Sequence, residues 1–370
     1  MYVGENLPKQ LLHVFPGFSV GGAQIRFSEL AKLLGHRYRH TVVAIDGDMA
    51  MSAHLSKDAP VTCLPVHYQT NVPLKGIIQA RKLLKRLKPD LLITYNWGAI
   101  DWCVAQHLLT GLRHIHIEDG FGPEEHTSRL RRRTLFRRLV LSERNTLVVV
   151  PSRALEFIAL HEWKLSRGSV RYIPNGIDCD RFFSPPRTVS HSGPVVIGTV
   201  ATLRAEKNIS RLIRLFGAVA ARYEPGQVKL LIVGDGPERT TLQREAIHSS
   251  FTSQITFAGG TRTPEHYLAK MDIFALSSNT EQMPLSVLEA MAASLPIVSF
   301  AVGDIKSMVA CQNLELVSVP LNEDGKFIEH LHHLIKNAEL RRTLGNANQE
   351  NVLAHFDHVT MAQAYGTLFD

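Results

Sequence analysis

Two carboxylates, Glu281 and Glu289, stand eight positions apart in the stretch Ser277–Ala293, SSNTEQMPLSVLEAMAA. It follows the apolar run Ile273-Phe274-Ala275-Leu276, which reads as a buried strand. Pro284 falls where a helix can begin, because the first turn tolerates proline. Counting i+3, i+4 and i+7 from Leu285 gives Leu288, Glu289 and Ala292. Glu289 therefore lies on the apolar stripe, where an unpaired carboxylate is costly. Either Glu289 snorkels to water from a helix edge and Glu281 is a capping acid, or the two acids hold a polyhydroxyl ligand. The second reading places them at the carboxyl end of a strand, where open α/β sheets bind ligands. Arg204 and Lys207, three apart, share one strand-to-helix loop. Two cations beside the free N–H groups of a helix start make a diphosphate clamp that needs no metal. The plainer alternative is a pair of exposed cations beside Glu206.

Other candidates lie in the first half of the chain. Gly21-Gly22 separates an apolar run from a helical pattern, so Gly22 lets backbone approach a ligand at a helix start that favours anions. Glu118-Asp119-Gly120-Phe121-Gly122 follows a strand-like segment, and its two acids with nearby His116 are the N-terminal candidates for touching a substrate. Arg129 to Arg138 holds six arginines. On a helix, Arg129, Arg133 and Arg137 form one row, and Leu135, Phe136, Leu139 and Val140 form an apolar stripe. Such a run is either a solvated face or a basic amphipathic helix on an anionic membrane surface. Nucleic acid is disfavoured, because no aromatic residues interleave the arginines. Gly234-Asp235-Gly236-Pro237 lacks the spacing of a dinucleotide fingerprint, and neither a Walker lysine nor a G-x-S-x-G elbow occurs.

These residues are carried by a regular alternation. Strands are expected at 11–15, 40–45, 61–66, 91–95, 113–118, 146–150 and 170–173, and again at 195–200, 229–233, 255–257, 273–276 and 297–300. Helical patterns separate them, which is the signature of parallel βαβ units. A Pro- and Ser-rich segment, 183–194, reads as the linker between two such blocks. The 370 residues exceed one typical core, and 45% hydrophobic with 20% charged residues describe a globular enzyme. A net charge of +7 and a pI near 9.3 favour anionic partners without choosing among them. The four cysteines, Cys63, Cys103, Cys179 and Cys311, form no C-x-x-C pair, so their spacing indicates neither a zinc site nor a disulfide framework. No leader or membrane span is expected, which points to a cytoplasmic protein, soluble or peripheral on the inner membrane face.

The joint order of GGAQ (21–24), NGID (175–178), the Arg204/Lys207 loop, VGDGP (233–237), E-x7-E within TEQMPLSVLEAMA (280–292) and a following VGD (302–304) resembles the retaining glycosyltransferases of family 4 (GT4). The similarity runs from Leu11 to the end. It implies the GT-B fold: two Rossmann-like, doubly wound parallel-sheet α/β domains facing a central cleft. The first, 1–182, completed by a C-terminal helix at about 355–370, would take the acceptor. The second, 195–354, would hold a UDP- or GDP-sugar. By resemblance Arg204 and Lys207 bind the diphosphate and support its departure, Glu281 contacts the transferred sugar, and Glu289 binds the ribose. Gly22 lies against the phosphates, and Gly234, Gln282, Met283, Pro284 and Leu285 complete the donor contacts. Asp119 takes a position where related enzymes often carry histidine, contacting the donor sugar or assisting the acceptor. No cofactor, general acid or metal is implied beyond the donor itself. The implied reaction is transfer to a glycan or lipid-linked acceptor in cell-surface polysaccharide assembly, with retention by front-face attack. The alternatives are an epimerase- or phosphorylase-like enzyme of the same fold, or a non-catalytic nucleotide-sugar binder. Gln282 and Ser294 depart from the pattern, since many members have glycine at both positions.

Overall fold

The computed structural model describes residues 7–66, 73–107, 111–121, 123–125, 129–183 and 193–370. Most of the expected linker, 184–192, lies outside them, as does Gly122. The chain forms two compact units, one of residues 1–175 with 359–370 and the other of 176–358.

The first unit is built on β1 (Lys9–Phe15), β2 (Tyr38–Ala44), β3 (Val61–Cys63), β4 (Leu91–Tyr95), β5 (Arg113–Ile117), β6 (Thr146–Val150) and β7 (Val170–Tyr172). They form one parallel sheet in the order β3-β2-β1-β4-β5-β6-β7. Alternate residues of β1 feed separate cores: Leu11 and Phe15 join Phe27, Tyr38 and Tyr95 on one face, while Leu12 and Val14 join Leu92 and Trp102 on the other. Burial on both faces is why these strands read as near-continuous apolar runs. The final helix, His358–Phe369, contributes Met361, Tyr365 and Phe369 to the first of these cores. The Tyr38 hydroxyl fastens it, lying 3.2 Å from the Gly366 carbonyl and 2.6 Å from an Asp370 oxygen.

The second unit holds β8 (Val195–Val200), β9 (Val228–Val233), β10 (Ile255–Gly259), β11 (Ile273–Leu276) and β12 (Ile297–Ser299), parallel throughout in the order β10-β9-β8-β11-β12. The helix Ile209–Ala220 buries Ile209, Leu212, Ile213, Phe216, Val219 and Ala220, a 3.6-residue stripe facing this sheet. The helix Leu285–Ala292 is buried nearly all round, from Val287 through Ala292.

The expected class, two doubly wound parallel α/β units, is therefore present. Each sheet reverses its winding once, between β1 and β4 in the first and between β8 and β11 in the second. Loops at the carboxyl ends of strands flanking such a reversal diverge and leave a crevice. Arg204 and Lys207 follow β8, and Glu281 and Glu289 follow β11. Among the described residues no helix is long and apolar enough to cross a membrane, and all four cysteines are free thiols.

Candidate active site

The two loops of the second unit are stitched together through their backbones. The Asn279 N–H donates to the Glu206 carbonyl at 2.9 Å, and the Ser277 hydroxyl reaches the Lys207 and Asn208 carbonyls at 3.1 and 3.0 Å. Asn208 adopts a left-handed conformation with φ 47°, caps the helix Ile209–Ala220 by accepting from the Arg211 N–H, and donates to Asn279 Oδ1 at 2.9 Å. This frame brings Lys207 Nζ to 2.6 Å from Glu281 Oε1, where the Ser278 hydroxyl also donates at 2.7 Å. Glu281 Oε2 has no partner among the described residues. Arg204 is exposed, and its guanidinium makes no ion pair or hydrogen bond with a described residue. Clamp and first glutamate thus share one crevice rim, with one cation tied to the acid and the other available to a ligand.

Glu289 is 8% exposed, and its carboxylate accepts no hydrogen bond from a described residue. Burial pushes its carboxyl up to about 7, against the pull of Arg181 and with a further push from Glu265. Arg181 is itself held by Glu265 at 2.9 Å. A nearly buried acid without a donor is what a polyhydroxyl ligand would satisfy. Pro284 is the residue before the helix Leu285–Ala292 rather than its first residue. No side chain caps that helix and no acid sits in its first turn, which leaves the N–H groups of Leu285 and Ser286 for an anion, while Val287 N–H donates to the Pro284 carbonyl at 3.2 Å.

Glycines fix the loop shapes. Gly303 (φ +53°) lies so close that a Cβ would come within 2.5 and 2.7 Å of the Glu281 and Gln282 carbonyl oxygens, and the Asp304 N–H donates to Gln282 O at 2.9 Å. Gln282 is therefore positioned through its backbone, whatever its side chain. Gly234 (φ +141°) would drive a Cβ to 1.8 Å from the Ala201 carbonyl oxygen. Packing of one strand-end loop on another accounts for glycine there.

In the first unit, Gly22 opens the helix Gly22–Leu34, whose first turn has neither an acid nor a side-chain cap. One turn on, Arg26 holds Asp119 in a bidentate pair at 2.5 and 2.8 Å and reaches Asn175 Oδ1 at 2.9 Å. The Asp119 N–H donates to Asn96 Oδ1 at 2.7 Å, with Asn96 at φ 56°. Asp119 is thus rigidly held at the end of β5. Its neighbours differ from the expectation: Glu118 and His116 are fully buried. Glu118 pairs instead with Arg137 at 3.3 Å.

The basic helix, Arg131–Leu141, departs from the solvated-row expectation at Arg137, which is buried with Val140 and Leu141. Arg137 is fully buried between Glu118 and Glu125, its guanidinium 4.8 Å from the Trp97 ring centre, 5.1 Å from Trp163 and 5.3 Å from Phe121. Arg133 pairs with Glu124 and Glu125, and Arg129 with Glu162. Leu135, Phe136 and Leu139 face outward beside Arg131, Arg132 and Arg138. Paired guanidiniums stacked on aromatic rings can be buried, and of the expected apolar stripe Val140 alone enters a core.

Two family models meet within the chain: "Glycosyltransferase Family 4" matches residues 20–181 and "Glycosyl transferases group 1" matches residues 180–351. The chain belongs to glycosyltransferase family 4. This glycosyltransferase is similar to the putative glycosyltransferase EpsF of Bacillus subtilis (strain 168), 24% identical over 316 residues that cover 78% of each chain. It is also similar to N-acetyl-alpha-D-glucosaminyl L-malate synthase of Bacillus anthracis, 24% identical over 56% of this chain and 55% of that one. The match thus spans about half the length of the latter relative. Anabaena Alr3699/HepE, solved in complex with UDP and glucose, superposes with a TM-score of 0.81 at 18% identity, covering 98% of this chain and 99% of that one. That likeness speaks to the fold of the glycosyltransferase.

Sequence reasoning missed Ser278, Arg181 and Arg26. Arg26 had a signal, since it lies four residues from Gly22 and so on the same helix face. Ser278 and Arg181 had none, because their partners are set by the meeting of loops distant in sequence.

Proposed function

We propose that this glycosyltransferase moves a sugar from a UDP- or GDP-sugar to a glycan or lipid-linked acceptor, with retention of configuration and without a metal in the transfer step. The observation that carries this is the convergence at the β8/β11 switch point of Arg204, the Lys207–Glu281 pair and the donorless Glu289. Arg204 and Lys207 offset the charge that develops on the departing diphosphate, which stabilises an oxocarbenium-like transition state. The free N–H groups at Leu285 and Ser286 share that load. Glu281, oriented by Lys207 and Ser278, meets the transferred sugar, and Glu289 takes the ribose hydroxyls. Departing phosphate oxygen accepts the acceptor's proton as attack occurs on the same face. Asp119, clamped by Arg26, faces the donor sugar or the acceptor.

The relatives support this reading, since EpsF is named a putative glycosyltransferase and HepE was solved with UDP and glucose. A panel of nucleotide sugars screened by thermal shift should find a UDP- or GDP-sugar that raises Tm. Transfer of that donor should fall by at least about a hundredfold in Arg204→Ala and in Glu281→Ala, the scale of losing one electrostatic contact to the transition state. Near-wild-type rates in either variant overturn the assignment. Binding without turnover of any acceptor would favour the non-catalytic alternative.

The outward face of the helix Arg131–Leu141 supports a place in polysaccharide assembly at the inner membrane face. Three arginines beside Leu135, 56% exposed, and Leu139, 63% exposed, suit an anionic lipid surface.

A further inference from the structure

Inside the first unit, on the strand β5 that leads to Asp119, three potential metal ligands meet. His114 and His116 are two apart on β5, so both imidazoles leave one face of the sheet. The helix Ile100–His107 covers that face and brings in Cys103. Cys103 Sγ lies 3.7 Å from His114 Nε2 and 3.7 Å from His116 Nδ1. The Thr94 hydroxyl, from β4, is 2.8 and 2.9 Å from the same two nitrogens and 3.3 Å from the sulfur. All four residues are at most 2% exposed.

We propose that Cys103, His114 and His116 bind a zinc-type divalent cation, beside the hydroxyl of Thr94. A tetrahedral ion bonded to sulfur at 2.3 Å and nitrogen at 2.0–2.1 Å separates the two ligand atoms by about 3.6 Å. Both observed sulfur–nitrogen spacings match that value. One soft thiolate with two imidazoles selects zinc over magnesium or calcium.

The surroundings fit as well. A metal-bound histidine needs its other nitrogen oriented by a neighbour. His114 Nδ1 lies 3.0 Å from the Thr146 hydroxyl, and His116 Nε2 faces Glu118 Oε2 at 3.6 Å. His116 Nε2 otherwise has no hydrogen-bond partner in its fully buried place. Binding releases the thiol proton to solvent and ties the covering helix to β4 and β5. Such a staple would act on the strand that positions Asp119, separately from the transfer chemistry. Cysteine spacing could not show it, since one cysteine and two histidines come from different elements.

The test uses the full chain, stripped with a chelator and titrated with cobalt(II). One equivalent should produce visible d–d bands and a near-ultraviolet sulfur-to-cobalt charge-transfer band, both removed by added zinc. Cys103→Ser should abolish the charge-transfer band, and Cys311→Ser, at an exposed thiol, should leave it intact. Absence of the band in the unsubstituted protein, or its survival in Cys103→Ser, overturns the proposal. Should Cys103→Ser fail to fold, X-ray absorption of the zinc-loaded unsubstituted protein decides. One sulfur and two imidazole nitrogens support the site, and a shell of nitrogen and oxygen alone overturns it.

Discussion

Glu289 is a residue whose pH behaviour opposes its function. Below pH 4.5 both folded and unfolded chains hold its proton. Between 4.5 and about 7 only the folded chain does, so stability falls as pH rises through that window and levels off above it. The full loss is on the order of 3 kcal/mol. Glu289→Gln should therefore raise the urea-unfolding stability of the ligand-free protein at pH 8 and hardly change it at pH 4.5. The same variant should weaken binding of the cognate nucleoside diphosphate by about 2 kcal/mol, roughly thirtyfold, as calorimetry would read it. Equal stability of variant and parent at pH 8 would refute the buried, unpartnered carboxylate. This acid was legible in the sequence, because helical counting put a charge among leucines and alanines. Its neighbours Arg181 and Glu265 were not, since the chain's return past that helix start leaves no local pattern.

Elements were legible as types and less so as orientations. The twelve strands among the described residues coincide with apolar runs, most plainly where a strand is buried on both faces, as in β4 and β11. The helix Arg131–Leu141 was legible as an amphipathic helix, yet which face turns inward depended on Trp97, Phe121, Glu118, Glu125 and Trp163, scattered over the chain. Arg137→Ala leaves the buried Glu118 without its cation and Glu125 with Arg133 alone, and should cost about 3–5 kcal/mol in urea unfolding. Arg138→Ala, on the exposed side, should stay within about 0.5 kcal/mol. Equal effects would return the helix to the expected orientation. Ser294 gives a second case. It sits at φ 56° after the helix Leu285–Ala292, a left-handed position that favours glycine. Its hydroxyl bonds Asn346 at 3.1 Å. The carbonyl it presents would stand 2.1 Å from a Cβ on Gly345. Gly345→Ala should thus lower stability by about 1–3 kcal/mol or more, read from the urea midpoint.

For the whole molecule, Arg26, Arg133 and Arg137 are matched by carboxylates, so the net excess of +7 is carried by other groups. Arg131, Arg132 and Arg138 remain for solvent or lipid. Each cation near an anionic surface contributes about 1 kcal/mol. Neutralising all three to glutamine should weaken binding to phosphatidylserine vesicles roughly a hundredfold at low salt, and added salt should erase the difference. Cosedimentation that is unchanged by the triple substitution, or absent at low salt, would end the membrane reading.

The aromatic enclosure around Arg137 has a practical consequence. The chain has three tryptophans, Trp97, Trp102 and Trp163, and every one belongs to the first unit. Two of them flank a fixed cation. Indole fluorescence is therefore a private signal of that unit, silent about residues 176–358, whereas far-ultraviolet dichroism sums both. Recorded on one denaturation series, the two signals would coincide for a single cooperative transition and separate for units that melt independently.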